Sequence, residues 1–199
     1  MVKTKLNLME KLTGLRQIKT AVFISGRGSN LKNLIQFSKT KMSPIIIDLV
    51  IANKKTEGLK YAHQNKINKA VIKYTNIRIA EKKILSILEK KKIKFICLAG
   101  FMKVLSKDFI KKFKGAIVNI HPSYLPKYKG LNTSIRALRN NEKFSGCTVH
   151  YVSSKLDSGK IIMQKKVKIA KKETETSLDR KIIKEEHKLY PSAILKIFN

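Results

Sequence analysis

Short apolar runs alternate with longer amphipathic segments between residues 18 and 120. Runs of about four to eight residues rich in Val, Ile or Phe predict strands, whereas apolar residues spaced three or four positions apart predict helices. The clearest predicted helix covers residues 77–91. Alternation of this kind is typical of βαβ units, in which neighbouring strands run parallel. The predicted strands cover residues 20–25, 45–52, 70–74, 95–99 and 116–120.

The pattern changes in the last third of the chain. Apolar and polar residues alternate over residues 147–152, and residues 156–159 have the composition of a turn. Residues 160–169 predict a second strand, so this region is expected to form a β-hairpin. Residues 176–198 have helical periodicity, and we expect Pro191 to kink or break that helix.

Together these elements predict an α/β fold. We expect a single-domain open mixed sheet, mostly parallel, made of Rossmann-like βαβ units with helices on both faces and a C-terminal β-hairpin plus helix. The chain has 199 residues, of which 43% are hydrophobic, and this suits one domain with a substantial core. We place that domain at residues 18–199, after an N-terminal extension at residues 1–17.

The sequence favours a protein of the cytoplasm. No window holds the roughly 18 uncharged apolar residues that a membrane span requires, and charged residues interrupt the start of the chain where a signal peptide would be apolar. Cys97 and Cys147 lie in apolar runs far apart in sequence. This placement favours buried, reduced thiols over a disulfide or a metal site.

The net charge of +31, with a pI of about 10.2, is the most unusual feature of the composition. Taken alone it suggests a polyanionic partner. However, only six of the 44 basic residues are arginine, the side chain on which specific nucleic-acid contacts depend. A lysine bias on exposed faces, steering of small anionic substrates and loose nucleic-acid binding all remain open, and no specific nucleic-acid or membrane partner is expected.

A glycine-containing turn follows the first predicted strand. Gly26 and Gly28 would let backbone N–H groups approach an anion at the start of the next helix. The turn is not a dinucleotide fingerprint, because it lacks the third glycine and no acidic residue follows the second strand. It predicts a phosphate site, although a plain strand-to-helix turn would explain the same residues.

Asn119 and His121 are two residues apart at the predicted end of the fifth strand, so their side chains should project from one face. Pro122 ends strand pairing just beyond them. An amide beside an imidazole can stabilise a developing oxyanion and move a proton, the two demands of acyl transfer. Asp157, in the hairpin turn, could hold the imidazole and favour its charged form. Each residue alone has an ordinary structural explanation, and only their combination indicates a site.

The remaining histidines carry weaker signals. His63 and His150 are expected to be structural or exposed. His187 follows Glu185 and Glu186 on the last predicted helix, where a carboxylate could hold a ribose hydroxyl or an amine. A solvated helix face would explain the same residues equally well.

Four ordered segments resemble the phosphoribosylglycinamide formyltransferase family. They are ISGRGSNL at residues 24–31, LAGFMKVLS at 98–106, NIHPSYLP at 119–126 and LDSG at 156–159. EEHKLYP at residues 185–191 is similar to the family's terminal helix. The resemblance therefore extends from about residue 18 to near the end of the chain.

This resemblance implies transfer of a formyl group from 10-formyltetrahydrofolate, as co-substrate, to the amine of 5'-phosphoribosylglycinamide in de novo purine biosynthesis, without a metal. It implies small-molecule substrates. The sequence does not determine whether the protein is a monomer or a weak homodimer. Asn119, His121 and Asp157 would be catalytic. The ribonucleotide would contact Gly28, Ser29, Asn30 and Glu186. The folate would contact Met102, Lys103, Val104, Leu105, Asn119, Ser153, Ser154, Lys155, Leu156 and Asp157, with Arg78 as the nearest candidate for the family's folate-contacting arginine.

Three alternatives remain. Methionyl-tRNA formyltransferase would suit the positive charge, but it normally has a further C-terminal domain and lacks the Gly-Ser-Asn turn. Formyltetrahydrofolate deformylase normally has a regulatory domain ahead of the first strand, for which residues 1–17 are too few. A lysine-rich nucleic-acid-binding module has only the charge in its favour.

Overall fold

The computed structural model describes residues 17–198. Gln17 is the only described residue of the predicted N-terminal extension, and its side-chain amide donates to the carbonyl of Ser43 at 3.1 Å; residues 1–16 lie outside the described part. The strands are β1 Ile18–Ile24, β2 Ile45–Ala52, β3 Asn68–Val71, β4 Phe95–Leu98, β5 Ala116–His121, β6 Phe144–Tyr151 and β7 Ile161–Lys168. The helices are α1 Ser29–Ser38, α2 Leu59–Gln64, α3 Ile77–Lys90, α4 Lys107–Lys112, α5 Thr133–Arg139 and α6 Glu175–Phe198.

One seven-stranded sheet has the order β3-β2-β1-β4-β5-β6-β7. The strands from β3 to β5 pair in parallel, whereas β6 is antiparallel to both β5 and β7. The predicted mixed sheet with a C-terminal hairpin and helix is therefore confirmed. The carboxyl ends of the parallel strands meet at one edge, where open α/β sheets bind their ligands.

Helices cover both faces of the sheet. Val22 of β1 belongs to a core that also includes Leu34 of α1 and Tyr190 of α6. The next residue, Phe23, faces the opposite core, together with Ile84 of α3. Because alternate residues of β1 enter different cores, the strand is apolar on both faces from Ala21 to Ile24.

The third strand was predicted at residues 70–74, and the structure places it earlier, at Asn68–Val71. This strand lies at the edge of the sheet, where Asn68 and Lys69 pair with β2 while their side chains stay exposed. Ile72 is buried but lies beyond the last paired residue. Apolar content therefore predicted the wrong bounds, because an edge strand does not need apolar residues along its whole length.

Pro191 was expected to kink or break the last helix, and the break is wrong, because α6 continues through it from Glu175 to Phe198. Proline has no N–H, so the carbonyl four residues earlier, that of His187, loses its helical partner. The side-chain amide of Asn33 in α1 donates to this carbonyl at 2.6 Å. The neighbouring helix thus satisfies the acceptor that the proline leaves free.

Two further features bear on the expectations from the sequence. Cys97 and Cys147 are buried free thiols, as predicted. Within residues 17–198, every helix falls short of the length or the apolar content that crossing a bilayer would require.

Candidate active site

Asn119 and His121 lie at the carboxyl end of β5, near the middle of the sheet edge. The antiparallel partner β6 places His150 opposite Asn119, and Thr148 opposite His121. Directly opposed residues of two strands hold their side chains on the same face and in contact. The register between β5 and β6 therefore brings a second histidine to the asparagine.

The His121 imidazole is held from two sides. Its Nε2 lies 2.9 Å from the carbonyl oxygen of Tyr128, and its Nδ1 lies 3.5 Å from Oδ2 of Asp157. A carbonyl oxygen can only accept, so Nε2 carries the hydrogen and Nδ1 is the nitrogen that gains or loses a proton. The structure thus brings His121 and Asp157 together, with the titrating nitrogen facing the carboxylate.

Asp157 lies in the turn region between β6 and β7, and its side chain is only 8% exposed. Its Oδ2 accepts a hydrogen bond from the Gly130 N–H at 2.9 Å, and its Oδ1 lies 3.6 Å from Nε2 of His150. Burial alone raises the pKa of Asp157, but His150, the Gly130 N–H and His121 together lower it below its usual value. The carboxylate is therefore ionised at neutral pH.

The expectation that Asp157 keeps His121 charged is wrong for the unliganded protein. Burial lowers the pKa of His121, and this effect exceeds the opposing effects of the Tyr128 carbonyl and Asp157. His150 and Arg136 lower the pKa further. A neutral imidazole with a free lone pair on Nδ1 is a base, ready to accept a proton beside an ionised carboxylate.

His150 was expected to be structural or exposed, and its position at the site was missed. It is buried, its Nδ1 lies 2.9 Å from the carbonyl of Tyr151, and its Nε2 lies 3.2 Å from Nδ2 of Asn119. Because Nδ1 must donate to the carbonyl, Nε2 is the ring nitrogen that can accept from the Asn119 amide. The amide has a second N–H, which is available to a ligand. Alternation along β6 alone gave no signal, because the β5–β6 register was needed to pair His150 with Asn119.

The turn predicted to bind phosphate, residues 25–30, leads into α1 and is called the phosphate turn after that prediction. Gly28 precedes the helix with φ of 76°, and a side chain there would place its Cβ 2.7 Å from Cα of Gly58. Glycine is therefore required both for the backbone conformation and for this close approach. Ser29 and Asn30 form the first turn of α1, where N–H groups lack helical acceptors.

Asn30 and Glu186 connect this turn to α6. The Asn30 amide donates to Oε2 of Glu186 at 2.8 Å, and both residues are buried. Burial raises the pKa of Glu186 to about 7, although the Asn30 hydrogen bond opposes this shift. Oδ1 of Asn30 has no hydrogen-bond partner among the described residues. The pair therefore offers an unsatisfied acceptor and a carboxyl group that ionises near neutral pH.

A pocket beside Asn119 lies between the segment after β4 and the turn region after β6. Most residues predicted to bind the folate line it, but Met102 and Ser154 do not, and Arg78 lies exposed in the first turn of α3, outside the lining. The lining residues are Leu98, Phe101, Lys103, Val104, Leu105, Asn119, His150, Val152, Ser153, Lys155, Leu156 and Asp157.

Two buried polar side chains hold the pocket segment at residues 101–105. Ser25 Oγ, at the phosphate turn, accepts a hydrogen bond from the Met102 N–H at 2.8 Å. The buried carboxylate of Glu81 in α3 accepts from the backbone N–H of Ser106 at 2.7 Å and from its hydroxyl. The pocket segment is thus tied to the phosphate turn at one end and to α3 at the other. Residues 17–198 contain no cluster of three or more side chains suited to a metal ion.

The chain belongs to the formyl transferase family, since the model of that family matches residues 18–194. Within the family it is similar to phosphoribosylglycinamide formyltransferases, which confirms the resemblance carried by the ordered sequence segments. The solved enzyme of Anaplasma phagocytophilum has a TM-score of 0.84 and 38% identity, covering 90% of this chain and 85% of that one. The enzyme of Brucella melitensis has a TM-score of 0.87 and 38% identity, covering 92% and 96%.

The curated relatives are much longer proteins. The trifunctional purine biosynthetic protein adenosine-3 of Drosophila melanogaster is 41% identical over 196 residues, covering 96% of this chain and 14% of that protein. The human protein of the same name is 39% identical over 183 residues, covering 90% of this chain and 18% of that protein. The chain therefore spans less than a fifth of the length of these relatives.

Proposed function

We propose that this chain transfers a formyl group from 10-formyltetrahydrofolate to the amine of 5'-phosphoribosylglycinamide. The observation that carries the proposal is the convergence of Asn119, His121 and Asp157 between a glycine turn suited to phosphate and a pocket suited to a folate. The similarity to solved phosphoribosylglycinamide formyltransferases over about nine-tenths of this chain supports the same substrates.

The ribonucleotide would lie along the phosphate turn. The N–H groups at Gly28, Ser29 and Asn30 would bind its phosphate, because unpaired N–H groups at a helix start favour an anion. Glu186, beside Asn30, would accept a ribose hydroxyl or the amine end of the ligand. In this role Glu186 acts as a carboxylate, so binding would favour its ionised form.

The folate would occupy the pocket beside Asn119. Its formyl end would lie against Asn119 and Asp157 at the inner end, and its outer part would contact Lys103, Val104 and Lys155. Met102 and Ser154, which are exposed beside the lining, and Arg78 on α3 would contribute only through movement of their segments. Among the folate contacts inferred from the resemblance, these three therefore have the least support.

The reaction is an acyl transfer, and the residues at the site can accept and return the proton that it moves. The amine nitrogen attacks the formyl carbon, a C–N bond forms, and the carbonyl oxygen becomes an oxyanion that accepts a hydrogen bond from the free N–H of Asn119. Nδ1 of neutral His121 takes the amine proton, directly or through water, and Asp157 stabilises the resulting imidazolium. The intermediate collapses as the bond to the folate nitrogen breaks, and that nitrogen leaves with a proton returned by His121.

One assay tests this function against its alternatives. The protein is mixed with 10-formyltetrahydrofolate and one of three acceptors, namely the ribonucleotide, initiator methionyl-tRNA or buffer, and release of tetrahydrofolate is followed. We expect release only with the ribonucleotide, and its loss in a His121→Ala variant. Release with the tRNA would instead identify a tRNA formyltransferase, and release in buffer alone would identify a deformylase.

A further inference from the structure

One short backbone segment contacts both His121 and Asp157. The carbonyl of Tyr128 accepts from His121 Nε2 at 2.9 Å, and the N–H of Gly130 donates to Asp157 Oδ2 at 2.9 Å. We propose that residues 128–130, here called the bracket, form a positioning element that fixes the imidazole and the carboxylate relative to each other. This inference rests on the proposed function, because it assigns the bracket to the same reaction.

The bracket presents a hydrogen-bond acceptor to His121 and a hydrogen-bond donor to Asp157. An acceptor on the Nε2 side keeps the hydrogen of neutral His121 on that nitrogen, and so leaves Nδ1 free for the proton that moves. A donor on the carboxylate side keeps Asp157 ionised and turned towards His121. A carbonyl and an N–H two residues apart can do both only if the backbone turns between them.

The bracket backbone adopts conformations that need support. Tyr128 has φ of 57° and Gly130 has φ of 80°. A left-handed conformation is unfavourable for a tyrosine, so its surroundings must hold it there. Glycine at position 130 meets no such penalty.

Side chains outside the catalytic pair anchor the bracket. The Tyr128 hydroxyl donates to Oε1 of Glu142 at 2.9 Å and accepts from Nδ2 of Asn140 at 3.0 Å. The Arg136 guanidinium lies 5.2 Å from the centre of the Tyr128 ring and donates to the carbonyl of Lys129 at 2.6 Å. Arg136 therefore contacts both the side chain and the backbone of the bracket, and we assign it and Tyr128 as positioning residues.

The segment before the bracket is fixed on β6. The Ser123 hydroxyl donates to the carbonyl of Lys127 at 2.7 Å, and the Thr148 hydroxyl donates to the carbonyl of Ser123 at 2.7 Å. Thr148 and Ser123 are both fully buried. Thr148 lies opposite His121 in the strand pair. Strand β6 therefore supports the loop whose Tyr128 carbonyl accepts from the His121 imidazole.

The test uses Tyr128→Phe, Arg136→Ala and their double variant. Tyr128→Phe removes both hydroxyl contacts but keeps the ring. Arg136→Ala removes the contact with that ring and the bonds to the carbonyls of Lys129 and Leu131. Arg139→Ala is the matched control, since Arg139 is exposed on the same helix and its side chain has no hydrogen bond or ion pair with any described residue. We expect the double variant to lose roughly ten- to a hundredfold in kcat, with the KM of both substrates changed less than about threefold, because misplacement of catalytic groups lowers turnover.

A second readout does not depend on activity. In ¹⁵N NMR spectra of the unliganded protein, His121 should show the tautomer with hydrogen on Nε2, and the double variant should show a mixture of tautomers. Arg136→Lys keeps a donor for the Lys129 carbonyl, so this variant should retain more of the kcat and more of the Nε2 tautomer than Arg136→Ala. If formyl transfer were absent in every form, the tautomer shift alone would still support the bracket while the proposed function failed. A folded double variant with unchanged kcat and an unchanged His121 tautomer would overturn the bracket.

Discussion

Nε2 of His150 lies 3.2 Å from Nδ2 of Asn119, and this contact determines which way the Asn119 amide faces. The His150 ring is itself fixed by donation from its Nδ1 to the carbonyl of Tyr151. These two hydrogen bonds, between the Tyr151 carbonyl and His150 and between His150 and Asn119, leave one N–H of Asn119 for a ligand. His150 thus acts on the proposed oxyanion through Asn119.

His150→Ala should therefore lower kcat. Without its acceptor the Asn119 amide can rotate, and the loss of one ordering hydrogen bond, about 1 kcal/mol, corresponds to roughly a five- to tenfold decrease. His63→Ala, at an exposed position on α2, is the control and should have no effect. Steady-state kinetics with the ribonucleotide would check this. An unchanged kcat in a folded His150→Ala protein would show that Asn119 needs no such support.

His121→Ala and Asp157→Asn should reduce turnover far more than ribonucleotide binding. Removal of one group that stabilises the transition state typically costs about 10²- to 10³-fold in kcat. The ribonucleotide contacts proposed at Gly28 and Glu186 are untouched in both variants. Turnover and calorimetric binding would be measured on the same preparations. Normal turnover with weakened binding would reassign His121 and Asp157 to substrate binding.

The His121 imidazole should titrate below its ordinary pKa of 6.5 in the unliganded protein, because burial disfavours its charged form. Asp157→Asn should lower the midpoint further, since the variant removes the negative charge that favours the imidazolium. In the pH window below 6.5 the unfolded chain binds more protons at this histidine than the folded one, so its contribution to stability is lost as the pH falls. NMR titration of the ring would check both shifts, and a midpoint above 6.5 would contradict them.

Glu186→Gln should remove a pH dependence of stability. The pKa of Glu186 is about 7 in the folded protein and 4.5 as a model value, so folding favours the protonated form. Its contribution is therefore fully present below pH 4.5 and is lost as the pH rises through 7, by roughly 3 kcal/mol at most. Between pH 5 and pH 8 the wild type should therefore lose unfolding free energy relative to the Glu186→Gln variant.

Glu185→Gln provides the control for this measurement. Glu185 is adjacent in sequence, and its half-buried carboxyl group pairs with the exposed Lys188, so its substitution removes a carboxyl group from α6 without touching the Asn30 contact. Urea unfolding of the three proteins at pH 5 and pH 8 would give these differences. A constant difference for Glu186→Gln would mean that the folded protein holds this carboxyl group with an ordinary pKa.

Asn33→Ala should destabilise the protein by about 1 kcal/mol, because the carbonyl of His187 would lose its partner. Pro191→Ala supplies the missing N–H to that carbonyl. In the Pro191→Ala background, Asn33→Ala should therefore cost less than in the wild type. A double-mutant cycle of unfolding free energies measures the coupling, and purely additive costs would show that Asn33 does not compensate for the proline.

Local patterns predicted the parts of the molecule that depend on neighbouring residues. The bounds of β2 follow from an apolar run broken only at Asp48, and the shared face of Asn119 and His121 follows from their spacing on a strand. His150 required the pairing register of two strands, which the spacing within one strand does not contain. The continuous α6 required Asn33, a residue of another helix far away in the sequence.

The charge state of His121 was mispredicted because it, too, depends on residues that are far apart in sequence. The sequence supplied a carboxylate partner in Asp157, which argued for a charged ring. It did not supply the degree of burial, which depends on how the loops pack around the ring and which has the larger effect on the pKa. Pairwise chemistry could be predicted from the sequence, whereas desolvation could be read only from the folded protein.

The hydrogen bond between Asn30 and Glu186 joins residues 156 positions apart. During synthesis the phosphate turn is therefore made early, whereas Glu186, whose carboxyl group pairs with it, is made much later. Until α6 is made and docks against α1, the Asn30 amide lacks its carboxyl partner, so this turn gains its buried contact only when the last helix is in place.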